Sequence, residues 1–263
     1  MHIIGFIVTI FIGVILGLVG GGGSILTLPV VHYFFGVSMS QATIYSLFIV
    51  GMSASIGVFK RIKTKDFELK EAIIFVIPST LVAFIMRLWI MPLIPVHFKL
   101  FGIETSKDSM MSLLLIIVMT ITALRMIFKN DSQKEYQGSI STTLLYGSFT
   151  GILAGIIGAG GGFIIVPALT KMGLSMRKAI GTSMIIITIQ SFGALVGDIL
   201  NKQISNEPFN YTLLIYLTIL TALGVFVGTY LQHFFTGKIL RKVFSYLLIA
   251  VSLFILIDRF ILN

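Results

Sequence analysis

The stretch GVILGLVGGGGSILTLP runs from Gly13 to Pro29, and a near copy, GILAGIIGAGGGFIIVP, runs from Gly151 to Pro167. Aligned on Gly13 and Gly151, the two share glycines at Gly17/Gly155, Gly20/Gly158, Gly22/Gly160 and Gly23/Gly161, and a proline at Pro29/Pro167. A one-residue deletion before Gly173 restores the match further on. Ser38-Met39 then meets Ser175-Met176, Ala42 meets Ala179, and Ser46 meets Ser183. The chain reads as a tandem duplication: one repeat over 1–130, a connecting loop over 131–138, and a second repeat over 139–263. Each copy interrupts an apolar run at the same place. Broken helices at matching positions of two membrane repeats point to a transporter's binding site.

The rest of the chain places those copies in a membrane. Of 263 residues, 56% are hydrophobic and 11% are charged, where a soluble domain carries about 25% charged residues. Apolar units cover 3–36, 40–59, 72–91, 110–128, 139–173, 179–200, 209–235 and 239–257, with most charges between them. The polar stretches between are too short to bury a core of their own. The expected fold is therefore all-α, a polytopic bundle of transmembrane helices. The N-terminal MHIIGFIV lacks the basic segment of a cleavable signal, so the first run is expected to stay in the protein.

The first and fifth units are anomalous. Each is about 35 residues, roughly 52 Å as a straight helix at 1.5 Å per residue, against a hydrocarbon layer of about 30 Å. Clustered glycines weaken a continuous helix by about 1 kcal/mol each relative to alanine. A break at Gly20–Gly23 and at 158–162 follows. Loop charge then decides the path. If each long unit crosses once, Lys171–Lys178 and Lys238–Lys242 fall opposite Lys60–Lys70, against the positive-inside bias. If each is a re-entrant hairpin, Lys60, Arg61, Lys63, Lys65, Lys70, Arg125, Lys129, Lys134, Lys171, Arg177, Lys178, Lys238, Arg241 and Lys242 gather inside. Only Lys99, Lys107, Lys202 and Arg259 lie outside, with Arg87 near an outer boundary. Three net crossings per repeat make the second copy inverted relative to the first, and two short spans in place of each hairpin keep the same parity.

A helix that starts inside the membrane exposes backbone N–H groups and the positive end of its dipole. Glycine lets a substrate come close to them. The pattern suits an anion. Gly20, Gly21, Gly22 and Gly23 supply one such start, and Gly158, Gly160, Gly161 and Gly162 the other. The competing reading, close helix packing, is the better one for the outer pairs Gly13/Gly17, Gly151/Gly155 and Gly224/Gly228, which have small-xxx-small spacing. Ser24, Thr43, Ser46, Thr182, Ser183 and Gln190 are neutral donors near the breaks, though Ser and Thr can also bond their own helix. Pro29 and Pro167 end or kink the short arms. Arg87 reads as a helix-end arginine reaching for the interface, with a part in anion entry as the alternative. Asp198 reads equally as a coupling group or a helix-end charge.

Several functions are excluded. The net charge of +9 comes from scattered loop residues, not from a nucleic-acid-binding face. There is no cysteine, and the four histidines are dispersed, so no metal site is expected. HExxH, GxSxG and Walker A motifs are absent, so neither an enzyme nor an ATP-driven pump is indicated, and no cofactor is expected. No carboxylate sits centrally in an apolar unit, which disfavours a cation carrier. A proton is a candidate coupling ion without an identified carrier residue.

The duplicated glycine pattern, followed by a proline and then by ATIYS at 42–46 or AIGTS at 179–183, resembles the sulfite exporter TauE/SafE family of membrane proteins. The likeness covers nearly the whole chain. GAGGGFIIVPAL at 158–169 is its clearer half, and GGGGSILTLPVV at 20–31 the other. The resemblance implies a multi-pass protein of the cytoplasmic membrane, embedded in lipid, that exports small sulfur-containing anions such as sulfite or organosulfonates. A passive anion channel and a non-transporting assembly protein remain as alternatives. Ile44-Tyr45 replaces the Gly181-Thr182 of the second copy, so Tyr45 is expected to reshape one half of the site.

Overall fold

Among the described residues, six helices are long and apolar enough to cross a membrane. They are α3 (Met39–Thr64), the Leu69–Leu93 unit, α6 (Lys107–Phe128), α7 (Ile140–Ile157), α9 (Met176–Leu200) and α10 (Tyr211–Leu231). The Leu69–Leu93 unit is α4 (Leu69–Ile85), a π-helical turn (Met86–Ile90) and the short α5 (Met91–Leu93). Shorter or flanking helices are α1 (His2–Val19), α2 (Ser24–Phe35), α8 (Gly162–Lys171) and α11 (Gly237–Ile257). This computed structural model describes all residues except 1, 101–102, 129–139, 159, 202–208 and 259–263. The expected connecting loop at 131–138 lies outside the described residues. Large apolar side chains such as Phe59, Leu145 and Phe226 face outward, as lipid contact requires. The all-α expectation meets one departure, a short antiparallel hairpin of β1 (His97–Leu100) and β2 (Ile103–Ser106) in a polar connection.

Both long units are broken and fold back. A 3₁₀ turn at Gly21–Gly23 separates α1 from α2. Gly20 there has φ 75° and ψ −147°, a region open essentially to glycine alone. The end of α2 returns to the start of α1: the Phe6 and Phe35 rings lie 5.2 Å apart, and Gly5 is packed against Phe34 and Phe35. The second unit does the same. Gly158 (φ 72°), Gly160 (φ 64°) and Gly161 (φ 62°) turn the chain between α7 and α8. Lys171 Nζ, at the end of α8, then donates to the Tyr146 hydroxyl near the start of α7 at 3.3 Å.

These hairpins gather the basic loops at one end of the bundle. Lys178 pairs with Glu68, and the Glu68 N–H donates to Thr182 Oγ1 at 2.9 Å. Arg61 Nη2 donates to Gln232 Oε1, which brings the end of α3 beside the end of α10. Lys60 stands over the Phe226 and Tyr230 rings. A single crossing of each long unit would separate these loops, so the contacts favour the hairpin path. At the opposite end Tyr45 exchanges hydrogen bonds with the Asn210 backbone, accepting at 2.8 Å and donating at 3.1 Å.

The packing repeats itself. Gly13 and Gly17 of α1 face Thr221, Gly224, Val225 and Gly228 of α10, with no room for a Cβ on either helix. Gly147, Gly151 and Gly155 of α7 face Phe75, Ser79 and Met86 in the same manner. The outer glycine pairs are thus packing residues, as small-xxx-small spacing predicts. The equivalent helices α3 and α9 cross antiparallel at the centre. Gly51 meets Ser191 and Phe192, while Gly57 meets Met184. Helices α6 and α11 pack on each other to one side.

Candidate functional site: two helix starts in contact

The two breaks meet. A Cβ on Gly21 would strike Gly162 Cα, and one on Gly162 would strike the Gly21 backbone. Ile187 Cδ1 packs against both. The N-terminal ends of α2 and α8 therefore abut inside the bundle, where their positive dipole ends reinforce one another. Only glycine permits so close a backbone approach.

Helix α9 lines this crossing with one stripe. Ser183, Ile187, Gln190, Ser191, Ala194 and Asp198 recur at helical spacing and are all buried. Ser183 Oγ accepts from the Gly21 N–H at 3.4 Å and donates to Ile180 O at 2.8 Å. Gln190 Nε2 faces Gly161 and donates to Thr150 O at 3.3 Å, while its Oε1 has no partner. Ser191 Oγ stands against Gly160, also without a partner. Helix α3 offers the equivalent stripe. Thr43 packs against Gly158, Val50 against Gly160, and Ser46 Oγ is fully buried and unpartnered.

The expected site residues divide accordingly. Gly20, Gly21, Gly158, Gly160, Gly161, Gly162, Thr43, Ser183 and Gln190 come together at the crossing. Gly22 and Gly23 continue the 3₁₀ turn, and Gly23 leans on Ile12 and Leu16 of α1. Ser24 Oγ bonds its own turn, donating to Gly21 O at 2.6 Å. Ser46 belongs to the α3 stripe. Thr182 does not belong there: its hydroxyl accepts from Glu68 N at the basic end, because the neighbouring position on a helix points about 100° away. Tyr45 spends its hydroxyl on Asn210 and stacks on Phe209 with ring centroids 4.6 Å apart.

The largest correction concerns charge. Arg87 does not reach for the interface; it is 3% exposed. Its Nη1 donates to Thr43 Oγ1 at 2.9 Å and lies 3.4 Å from the Asp198 carboxylate. Asp198 is 1% exposed, so the pair is buried rather than a helix-end decoration. Lys107 is also buried, its Nζ donating to Met91 O at 2.7 Å, within electrostatic reach of both. Arg87 sits in the π-helical turn, a feature that clusters at functional sites. The sequence signal was available: ionisable residues within apolar spans are functional candidates by default. Among the described residues no His, Cys, Asp and Glu group could hold a metal ion.

Known membrane proteins resemble this chain over most of its length. The family model described as Sulfite exporter TauE/SafE matches residues 5–255. A probable membrane transporter protein of Xylella fastidiosa is 30% identical over 97% of this chain and 97% of its own length. One from Methanocaldococcus jannaschii is 27% identical over 74% of this chain and 69% of its own. Another, from Bacillus subtilis, is 23% identical over 90% and 92% respectively.

Proposed function

The chain belongs to the sulfite exporter TauE/SafE family of multi-pass membrane transporters, and on that premise we propose that it is a secondary carrier of a small oxyanion, sulfite or an organosulfonate. The observation that carries the proposal is the contact of two half-helix starts at Gly21 and Gly162. Two positive dipole ends that meet away from water repel each other, and an anion between them relieves that repulsion. Neutral donors, Ser46, Ser183 and Gln190, hold an oxyanion without binding it too tightly to release. Gly20–Ser24, Thr43 and Gly158–Gly162 complete the surrounding contacts.

Residues 1–130 and 139–263 act as two inverted repeats, a reading supported by the antiparallel crossing of α3 and α9. Rocking of one repeat against the other opens the crossing to alternate sides. The close seat of Ile187 on both breaks suits a gated carrier better than an open pore.

Purified protein in liposomes tests this reading with sulfite, methanesulfonate, sulfate, chloride and a quaternary ammonium ion. Saturable counterflow confined to sulfite or the sulfonate is the expected result. Ohmic conductance would make the protein a channel, and the lack of any anion flux would refute the reading.

A further inference from the structure

Resting on the anion-carrier reading above, we propose that Arg87 is the cation that holds the transported anion, and that Asp198 and the anion take turns on its guanidinium. Arg87 is nine-tenths buried and more, yet Nε and Nη2 have no protein partner. Nη2 points at Gly158, the first glycine of the second break, whose positive φ brings main chain against it. The free edge of the guanidinium thus faces the second break where it leaves the end of α7. A guanidinium grips a carboxylate best through two parallel N–H···O bonds. Asp198 does not achieve this: it meets only Nη1, at 3.4 and 3.5 Å. The remaining fork matches the paired oxygens of a sulfite or sulfonate.

Charge balance gives Asp198 its part. Arg87, Lys107 and Asp198 are all buried, and Asp108 lies beside Lys107 nearer the surface. A buried charge is tolerated only when paired. Binding of an anion beside an ionised Asp198 would set two negative groups on one guanidinium. If Asp198 takes up a proton as the anion binds, the cluster keeps the charge it had before. The anion and the proton then travel together, the proton on the Asp198 carboxyl, and the step moves no net charge for a monovalent anion. Thr43 holds Nη1 in place from α3, so the cation stays at the break as the carboxylate lets go.

Methanesulfonate is the right probe, because it stays ionised across the working pH range and leaves any pH dependence to the protein. Binding is read on the purified full chain by ligand-induced thermal shift, and transport in liposomes under a pH gradient. Wild-type protein should bind methanesulfonate about tenfold more tightly per unit fall in pH, the linkage slope of one proton per anion. Asp198→Asn should flatten that slope and abolish proton-driven accumulation. Arg87→Lys keeps the charge without the fork and should weaken binding about tenfold or more. Arg87→Gln strands Asp198; where it does not fold, Arg87→Gln with Asp198→Asn keeps the pair neutral and should abolish binding. If wild-type protein carries methanesulfonate but the double variant binds as tightly, or Asp198→Asn keeps the wild-type slope, this assignment falls while the carrier reading stands. If wild-type protein neither binds nor carries any anion, both fall.

Discussion

Replacing Gly21 by alanine tests the contact between the two helix starts. Gly21 does not have a positive φ, so the substitution adds no backbone strain of its own. What it adds is one methyl group where Gly162 Cα and Ile187 Cδ1 already stand. Overfilling a packed interior by a methylene costs about 1–3 kcal/mol. The obstacle is half side chain and half backbone. Ile187→Val removes the Cδ1 and costs about 0.5–1.5 kcal/mol alone, yet leaves Gly162 where it is. Gly21→Ala with Ile187→Val should therefore recover only part of the lost stability. Gly36 supplies the control, with φ 68° and nothing within 4 Å of an added Cβ. Gly36→Ala should cost about 1–2 kcal/mol of left-handed strain and leave transport per folded molecule intact. Thermal unfolding in detergent gives the stability, and liposome counterflow gives the transport. Gly21→Ala should lower transport per folded molecule well beyond Gly36→Ala at comparable stability. Full rescue by Ile187→Val, or transport equal to that of Gly36→Ala, would refute the idea that backbone contact across the two breaks matters.

The chain has no cysteine, so single-cysteine labelling is clean. Cysteine at Lys63 and at Lys238 should label from one side of the membrane and cysteine at Asp108 from the other; opposite sidedness of the first two would overturn the hairpin path. Gly224→Leu drives a side chain into Ile10 and Gly13 of α1 and should reduce folded protein and total flux together, measured by size-exclusion recovery and counterflow. Transport lost with full recovery of folded protein would make that glycine a site residue instead. Ser46→Ala with Ser183→Ala removes one hydroxyl without a partner and one that accepts the Gly21 N–H. It should weaken anion counterflow severalfold with normal folding, and unchanged transport would remove both residues from the site. Gln232→Leu leaves the buried Arg61 short of a hydrogen-bond acceptor and should destabilise the protein by about 1–3 kcal/mol in thermal unfolding.

How much of this was legible follows from which forces act locally. The two hairpins were readable because length is a hard constraint: a run of about 35 residues does not fit a layer of about 30 Å without bending. Clustered glycine told where. The sidedness of Lys60–Lys70 and Lys171–Lys178 was readable because loop charges add up over many residues, and the Lys178–Glu68 pair agrees with it. The repeat and helical spacing put Ser183 and Gln190 beside the breaks, and they lie against Gly20 and Gly161. Thr182, drawn from the same motif, lies apart from them with its hydroxyl on the Glu68 N–H, since sharing a motif does not mean sharing a helix face. Arg87 and Asp198 were the real gap. Each lies near the end of an apolar unit, where a charge usually reaches water. Their burial comes from the parallel packing of α4 on α9, at Gly193 against Thr80 and Gly197 against Phe84 and Arg87, and from the π-helical turn that re-aims Arg87. The charges themselves were visible inside the apolar units, but neither this packing nor the turn leaves a mark in local sequence pattern. The β1–β2 hairpin was missed for a simpler reason, being four-residue strands in a polar stretch.

The most direct measurement is the position of a heavy oxyanion in an experimental structure of the whole chain. Selenate mimics the tetrahedral oxygen arrangement of the sulfur anions and can be located by its anomalous scattering. A selenate is expected at the two breaks, beside the Gly21 and Gly162 backbone or on the edge of Arg87 that faces Gly158. A selenate bound only at the basic loops, with the two helix starts still in contact, would contradict the account.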